Sequence, residues 1–121
     1  MVGKGPPDSG GIAAFLEMLL ATDAARRRDA RFLNVAHGES RQGGKLAAGN
    51  VRRTVADARA VWRLAGDRDI VHIHSALAPF VTMLRAGILG LVARARGCRV
   101  VIHAHGGRVQ LWLTSPGRRL L

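Results

Sequence analysis

The stretch from Asp69 to Arg108 constrains this chain more than any other. DIVHIHS over 69–75 and RVVIHAHGG over 99–107 are β-branched runs, each closing on a His-x-His step, and an apolar segment of helical length joins them. Successive side chains of a strand point to opposite faces, so His72 and His74 share one face. Strand, helix, strand in this order is the unit of a parallel sheet with crossover connections. In open parallel sheets ligands collect at the carboxyl ends of the strands. The first candidate site is therefore His105 with Gly106 and Gly107, and the second is the Gly10–Gly11 turn near the amino terminus.

The other segments fit the same class. Pro6-Pro7 excludes helix, and Asp8 or Ser9 can cap a helix that starts after them. Ile12, Phe15, Leu16, Leu19 and Leu20 then predict a helix that carries Arg26, Arg27 and Arg28 in its last turn, at the negative end of the helix dipole. The amino end of this helix can receive an anion on its free N–H groups; equally, Gly10-Gly11 can be a turn that only starts a helix. Arg31 to His37 predicts a short strand, with His37 as a loop histidine, and 38–49 a Gly-rich loop. Asn50 is the expected N-cap of an amphipathic helix with Val51, Val55, Ala58, Trp62 and Ala65 as its apolar stripe and Gly66 at its close. Its other face carries Arg52, Arg53, Asp57, Arg59 and Arg63, most simply a solvated surface and more sharply a membrane- or partner-docking face. The helix after Pro79 is apolar nearly all round and is expected to be buried on more than one side. Leu111, Trp112 and Leu113 begin a further element before a basic tail. Helices and strands in alternation predict an α/β fold.

Composition narrows the function classes. At 121 residues the chain is one domain, and 48% apolar residues suffice for a core. The formal charge of +11 comes almost wholly from arginine and admits nucleic acid, an anionic membrane or a phosphorylated ligand. Nucleic acid is not expected, because tyrosine is missing, aromatic residues are 4% and no recognition motif is present. Neither GxGxxG nor GxxxxGK[ST] occurs, so no dinucleotide fingerprint or Walker site can be assigned, and there is no G-x-S-x-G elbow. His72, His74, His103 and His105 invite a metal reading, but no carboxylate accompanies either pair and covering helices would crowd the rings. No metal and no cofactor is expected. Cys98, the single cysteine, reads as a small buried hydrophobe and fits a reducing compartment. Polar residues interrupt both the first twenty positions and the longest apolar region. Neither a secretory signal nor a membrane span is expected, and the expected location is cytoplasmic.

Taken together, GPPDSGGIAAFLEMLL, DIVHIHSALAPFVTMLRAGILGLVARARG and CRVVIHAHGGR resemble the amino-terminal domain of family 4 glycosyltransferases, over roughly residues 3–110. These are retaining enzymes with two Rossmann-like domains, the GT-B architecture. The resemblance implies a partial Rossmann-like parallel sheet with crossover helices, its first strand largely missing, and residues 1–121 as a single acceptor-side domain. It implies that Gly10 and Gly11 face the donor diphosphate and the acceptor, and that His105 is the catalytic residue, touching the donor sugar beside the reacting centre. His74 and Ser75 would end the neighbouring strand on the cleft side, and Gly106, Gly107 and Arg108 would help shape the acceptor pocket.

The implied partners are a nucleotide-sugar donor, gripped mainly by a carboxyl-terminal domain, and a glycan or lipid-linked acceptor. Arginine on the first two helices would allow peripheral contact with an anionic membrane at its inner face. That second domain is not in this sequence, so the chain reads as an interior slice of a longer protein and is expected to lack transferase activity alone. The alternative is a non-catalytic α/β module, or a split subunit that docks on a separate donor-domain protein.

Overall fold

The computed structural model describes residues 1–36, 48–66, 68, 70–77 and 80–106; His37, the Gly-rich stretch through Ala47, Asp69, Pro79, Gly107, Arg108 and the segment around Trp112 lie outside the described residues. In chain order the elements are β1 (Val2–Gly3), α1 (Gly11–Leu20), α2 (Asp23–Arg27), β2 (Leu33–Asn34), α3 (Ala48–Ala65), β3 (Ile70–Ala76), α4 (Phe80–Ala95) and β4 (Arg99–His105). The four strands form one parallel sheet in the order β2-β1-β3-β4. The fold is α/β with the Rossmann-like character expected. Two residues are enough for β1 to take the central place: Val2 pairs with Leu33 on one side and Ile73 on the other.

The strand alternation decides which helix covers which face. Val71 and Ile73 of β3 point one way with Val2, and they pack with Val61 and Ala65 of α3 and with Ala86, Leu89 and Ala93 of α4. His72 and His74 point the other way, toward α1, whose Leu16 is 1% exposed. Small residues bring α4 down onto the sheet: a Cβ at Gly90 would lie 3.4 Å from Val100 and 3.6 Å from Ile102. The helix ends in a Schellman motif. Gly97, at φ +85°, donates to Arg94 O, and Cys98 N donates to Ala93 O. Cys98 is buried as expected, its Sγ 3.1 Å from the carbonyl oxygens of Ala65 and Arg68.

Several expected details are corrected. The first helix is not continuous to Arg28. Thr22 interrupts it, donating to Leu19 O at 2.7 Å and capping α2 by accepting from Ala25 N at 3.2 Å. β2 is shorter than Arg31–His37, and β3 runs one residue further, to Ala76. Asn50 lies inside α3 and is not its N-cap. The α3 stripe is correct only in part: Ala58 and Ala65 pack on the core as expected, but Val51, Val55 and Trp62 are exposed, and Asp57 and Val61 are buried in their place. Asp57 is no part of a solvated face, since its carboxylate pairs with the Arg85 guanidinium of α4. Finally, α4 is buried along one arc only, leaving Leu84, Ile88 and Leu91 exposed among the described residues. No helix among the described residues is long and apolar enough to cross a membrane.

Candidate functional site

The strand order reverses between β1 and β3, because the chain leaves β1 toward β2 on one side and returns to place β3 on the other. A crevice opens at such a switch point, outside the carboxyl ends of the strands. Here it is a cavity of about 440 Å³. The loop after β1 contributes Lys4, Asp8, Gly10 and Gly11; the end of β3 contributes His74, Ser75 and Ala76; α4 contributes Thr82 and Arg85. Val2, Val35, Ile73 and Leu89 make its floor apolar.

Each polar group is fixed from the backbone outward. Asn34 of β2 clamps the loop after β1: Oδ1 accepts from Gly5 N at 3.0 Å and Nδ2 donates to Pro6 O at 2.7 Å. Lys4 Nζ lies 3.3 Å from Asp8 Oδ2. Gly10 is the N-cap of α1 and supplies no side-chain cap, so first-turn N–H groups stay available at the cavity wall. Neither its extended backbone (φ −124°) nor any close neighbour demands glycine there, and a Cβ at Gly10 or Gly11 would meet nothing within 4 Å. What the pair leaves is a clear approach to the helix end. On the opposite wall Thr82 Oγ1 donates to Ala76 O at 3.0 Å, and Ser75 Oγ lies 3.3 Å from the carbonyls of Ala76 and Thr82. These bonds tie the end of β3 to the first turn of α4.

Behind His74 lies a layer of imidazoles. In the β3–β4 register His74 sits opposite His103, so His72, His74, His103 and His105 share the face beneath α1. Phe15 caps them, its ring 5.6, 5.3 and 5.4 Å from those of His74, His103 and His105. His74 Nδ1 and His105 Nε2 are hydrogen-bonded at 3.0 Å. Burial foremost, then the neighbouring imidazoles, push His74 down to about 4; the same causes lower His72 and His105. These three rings are neutral at neutral pH.

Of the residues singled out in the sequence, the structure brings Gly10, Gly11, His74 and Ser75 together around the cavity. His105 is half-buried, does not line it, and reaches it only through His74. Gly106 is exposed just beyond β4, and Gly107 and Arg108 fall outside the described residues. Lys4, Thr82, Arg85 and the clamp Asn34 were not singled out, and no motif marks them; Asp8, expected as a possible helix cap, pairs with Lys4 instead, and α1 has no side-chain cap. Among the described residues, His72, His74 and His103 form a group able to hold a metal, one nitrogen from each lying within 4.8 Å of the others. No protein-family model, no curated protein and no solved structure matches this chain.

Proposed function

We propose that this chain is the acceptor-side domain of a retaining, nucleotide-sugar-dependent glycosyltransferase of the GT-B type. The observation that carries the reading is the switch-point cavity, in which Gly10 and Gly11 meet His74 and Ser75. Those are four of the positions that the sequence resemblance assigns to the cleft.

The chemistry of the walls supports it. Transfer breaks the bond between the sugar's anomeric carbon and the donor diphosphate and forms one to an acceptor hydroxyl oxygen, whose proton is lost. Negative charge grows on the diphosphate, so fixed donors aimed at it accelerate the step. The uncapped end of α1 and Lys4 supply such donors; Arg85, also at the wall, is already paired with Asp57. The Ser75 hydroxyl suits a sugar hydroxyl group, while His74, its Nδ1 held by His105 and its Nε2 buried, contributes wall surface. His105 keeps its proposed place against the donor sugar only if its bond to His74 opens, because that bond occupies Nε2. The donor nucleotide is assigned to a second domain, which this reading requires for transfer. An anionic membrane is the proposed setting for a lipid-linked acceptor, met by Arg26 and Arg27 of α2 and Arg52, Arg59 and Arg63 of α3.

The experiment is a titration of the ¹⁵N-labelled chain with inorganic pyrophosphate, nucleoside diphosphates and free hexoses. Shifts confined to the amides of Gly10, Gly11, Ile12 and Ser75, weakened in Lys4→Ala, are expected. Silence of those amides at millimolar pyrophosphate, or shifts clustered elsewhere, overturns the assignment.

A further inference from the structure

We propose that His72, His74 and His103 form a binding site for one divalent transition-metal ion of the zinc and cobalt class, on the sheet face beneath Phe15. The inference does not rest on the transferase reading. It begins with unmet hydrogen-bonding capacity. His74 is 4% exposed, and the Nε2 atoms of both His72 and His74 are shut off from solvent without a hydrogen-bond partner. A buried polar atom left in this way costs on the order of 1–3 kcal/mol, and two side by side on one sheet face call for a shared partner.

The geometry suits an ion. One ligand nitrogen from each of the three rings lies within 4.8 Å of the other two. A tetrahedral ion at about 2.1 Å from each nitrogen holds its ligands about 3.4 Å apart, so side-chain rotation of roughly an ångström closes the set. His72 and His74 come from alternate positions of β3, and His103 is the cross-strand neighbour of His74, so the donors stand on paired strands. His105 sets the tautomer. When His74 Nδ1–H donates to His105 Nε2, the lone pair of His74 is left on Nε2, the unpartnered atom.

The donor set selects the ion. Three neutral imidazoles with no carboxylate among the described cluster disfavour magnesium and calcium, which want oxygen, and favour zinc, cobalt, nickel or copper. Three protein ligands leave a fourth position for water or an anion. His72 and His103 are only half-buried, which leaves a way in.

The test is equilibrium dialysis of the chelator-treated full chain against Co²⁺, with the visible spectrum recorded. One ion per chain, a four-coordinate ligand-field spectrum, displacement by Zn²⁺ and indifference to excess Mg²⁺ are expected. His72→Gln and His103→Gln each weaken binding by about 100-fold or more, and the positioning variant His105→Gln by about 10–100-fold with an unchanged urea midpoint. Should His103→Gln fail to fold by circular dichroism, His72→Gln, on a half-exposed ring, carries the same reading. A stoichiometry near zero in excess Co²⁺, or full affinity in His72→Gln, overturns the site; full affinity in His105→Gln overturns its positioning role.

Discussion

Replacing Gly3 with alanine tests how α1 rests on the shortest strand of the sheet. A Cβ at this position would lie 2.5 Å from Leu16 Cδ1 and 3.3 Å from His74 Cβ. Carbon atoms in contact sit about 3.5–4.0 Å apart, so either Leu16 moves or β1 and α1 separate. Leu16 is 1% exposed, and a side chain enclosed on every side has no vacant rotamer to adopt. Overpacking of this kind costs about 1–3 kcal/mol. Against it, alanine restricts the unfolded chain and returns about 0.4–1 kcal/mol. The net loss is about 1–2 kcal/mol, a fall in Tm of about 5 °C for a domain of this size.

Urea unfolding followed by far-UV circular dichroism measures it, with an unchanged m-value as the sign that only stability moved. The partner variant is Leu16→Ala, which by itself costs about 2–5 kcal/mol through the cavity it leaves. In the double variant the methyl at position 3 occupies part of that cavity, so the two losses fall short of additivity by about 1 kcal/mol. Gly3→Ala as stable as the parent, or two strictly additive losses, would refute the packing of α1 on β1.

Lowering the pH destabilises the metal-free fold through its histidines. His74 is held near 4 against an ordinary 6.5, so between those values the unfolded chain carries a proton that the native chain lacks. Stability therefore falls as pH drops through that window, by about 1.4 kcal/mol per unit from this ring, and levels off below it. His72 and His105 act in the same direction. Urea midpoints across this range, in chelator, should show a shallower slope for His74→Gln, and parallel slopes would contradict the assignment. Asp57→Asn takes a charge from a carboxylate that is 4% exposed and joined to Arg85, at a cost of about 1–3 kcal/mol; a midpoint within error of the parent would show that α3 and α4 do not depend on it. Cys98, 2% exposed, should resist a thiol reagent until urea unfolds the chain, and prompt labelling of native protein would contradict its burial.

How much of this was legible depended on the kind of signal each element sends. β3 and β4 announce themselves through β-branched alternation, which fixes both the strand and the face its histidines share. The strand ends then place Gly10, Gly11, His74 and Ser75 around one crevice through the parallel topology. Helix phase was less legible. In α3 the expected stripe is half right: Ala58 and Ala65 do pack, but Val51, Val55 and Trp62 lie to one side of the buried row that Asp57 and Val61 complete. The pairing of Asp57 with Arg85 belongs to tertiary structure and leaves no periodic trace. In α4, apolar on nearly every side, the small residues Ala86, Gly90 and Ala93 select the buried arc, because they alone let the backbone approach β3 and β4 closely. Thr22 breaks the first helix inside a stretch whose periodicity gives no warning. Lys4, Thr82 and Arg85 join the cavity from a loop and a helix that only the folded topology brings together.

His74 stands on the boundary between two polar environments, and this dictates which substitutions can separate them. One side of the residue lines the switch-point cavity; its ring also belongs to the imidazole layer beneath Phe15, where His105 holds its Nδ1. Removing its ring disturbs the cavity wall and the candidate ligand set at once, so loss of either activity in His74→Ala assigns nothing. Lys4 and Ser75 belong to the cavity alone, and His72 and His103 to the imidazole layer alone. Anion binding that follows the first pair and metal binding that follows the second would identify two sites sharing a wall; both functions following His72 would mean a single site, with the ion itself presented to the cavity.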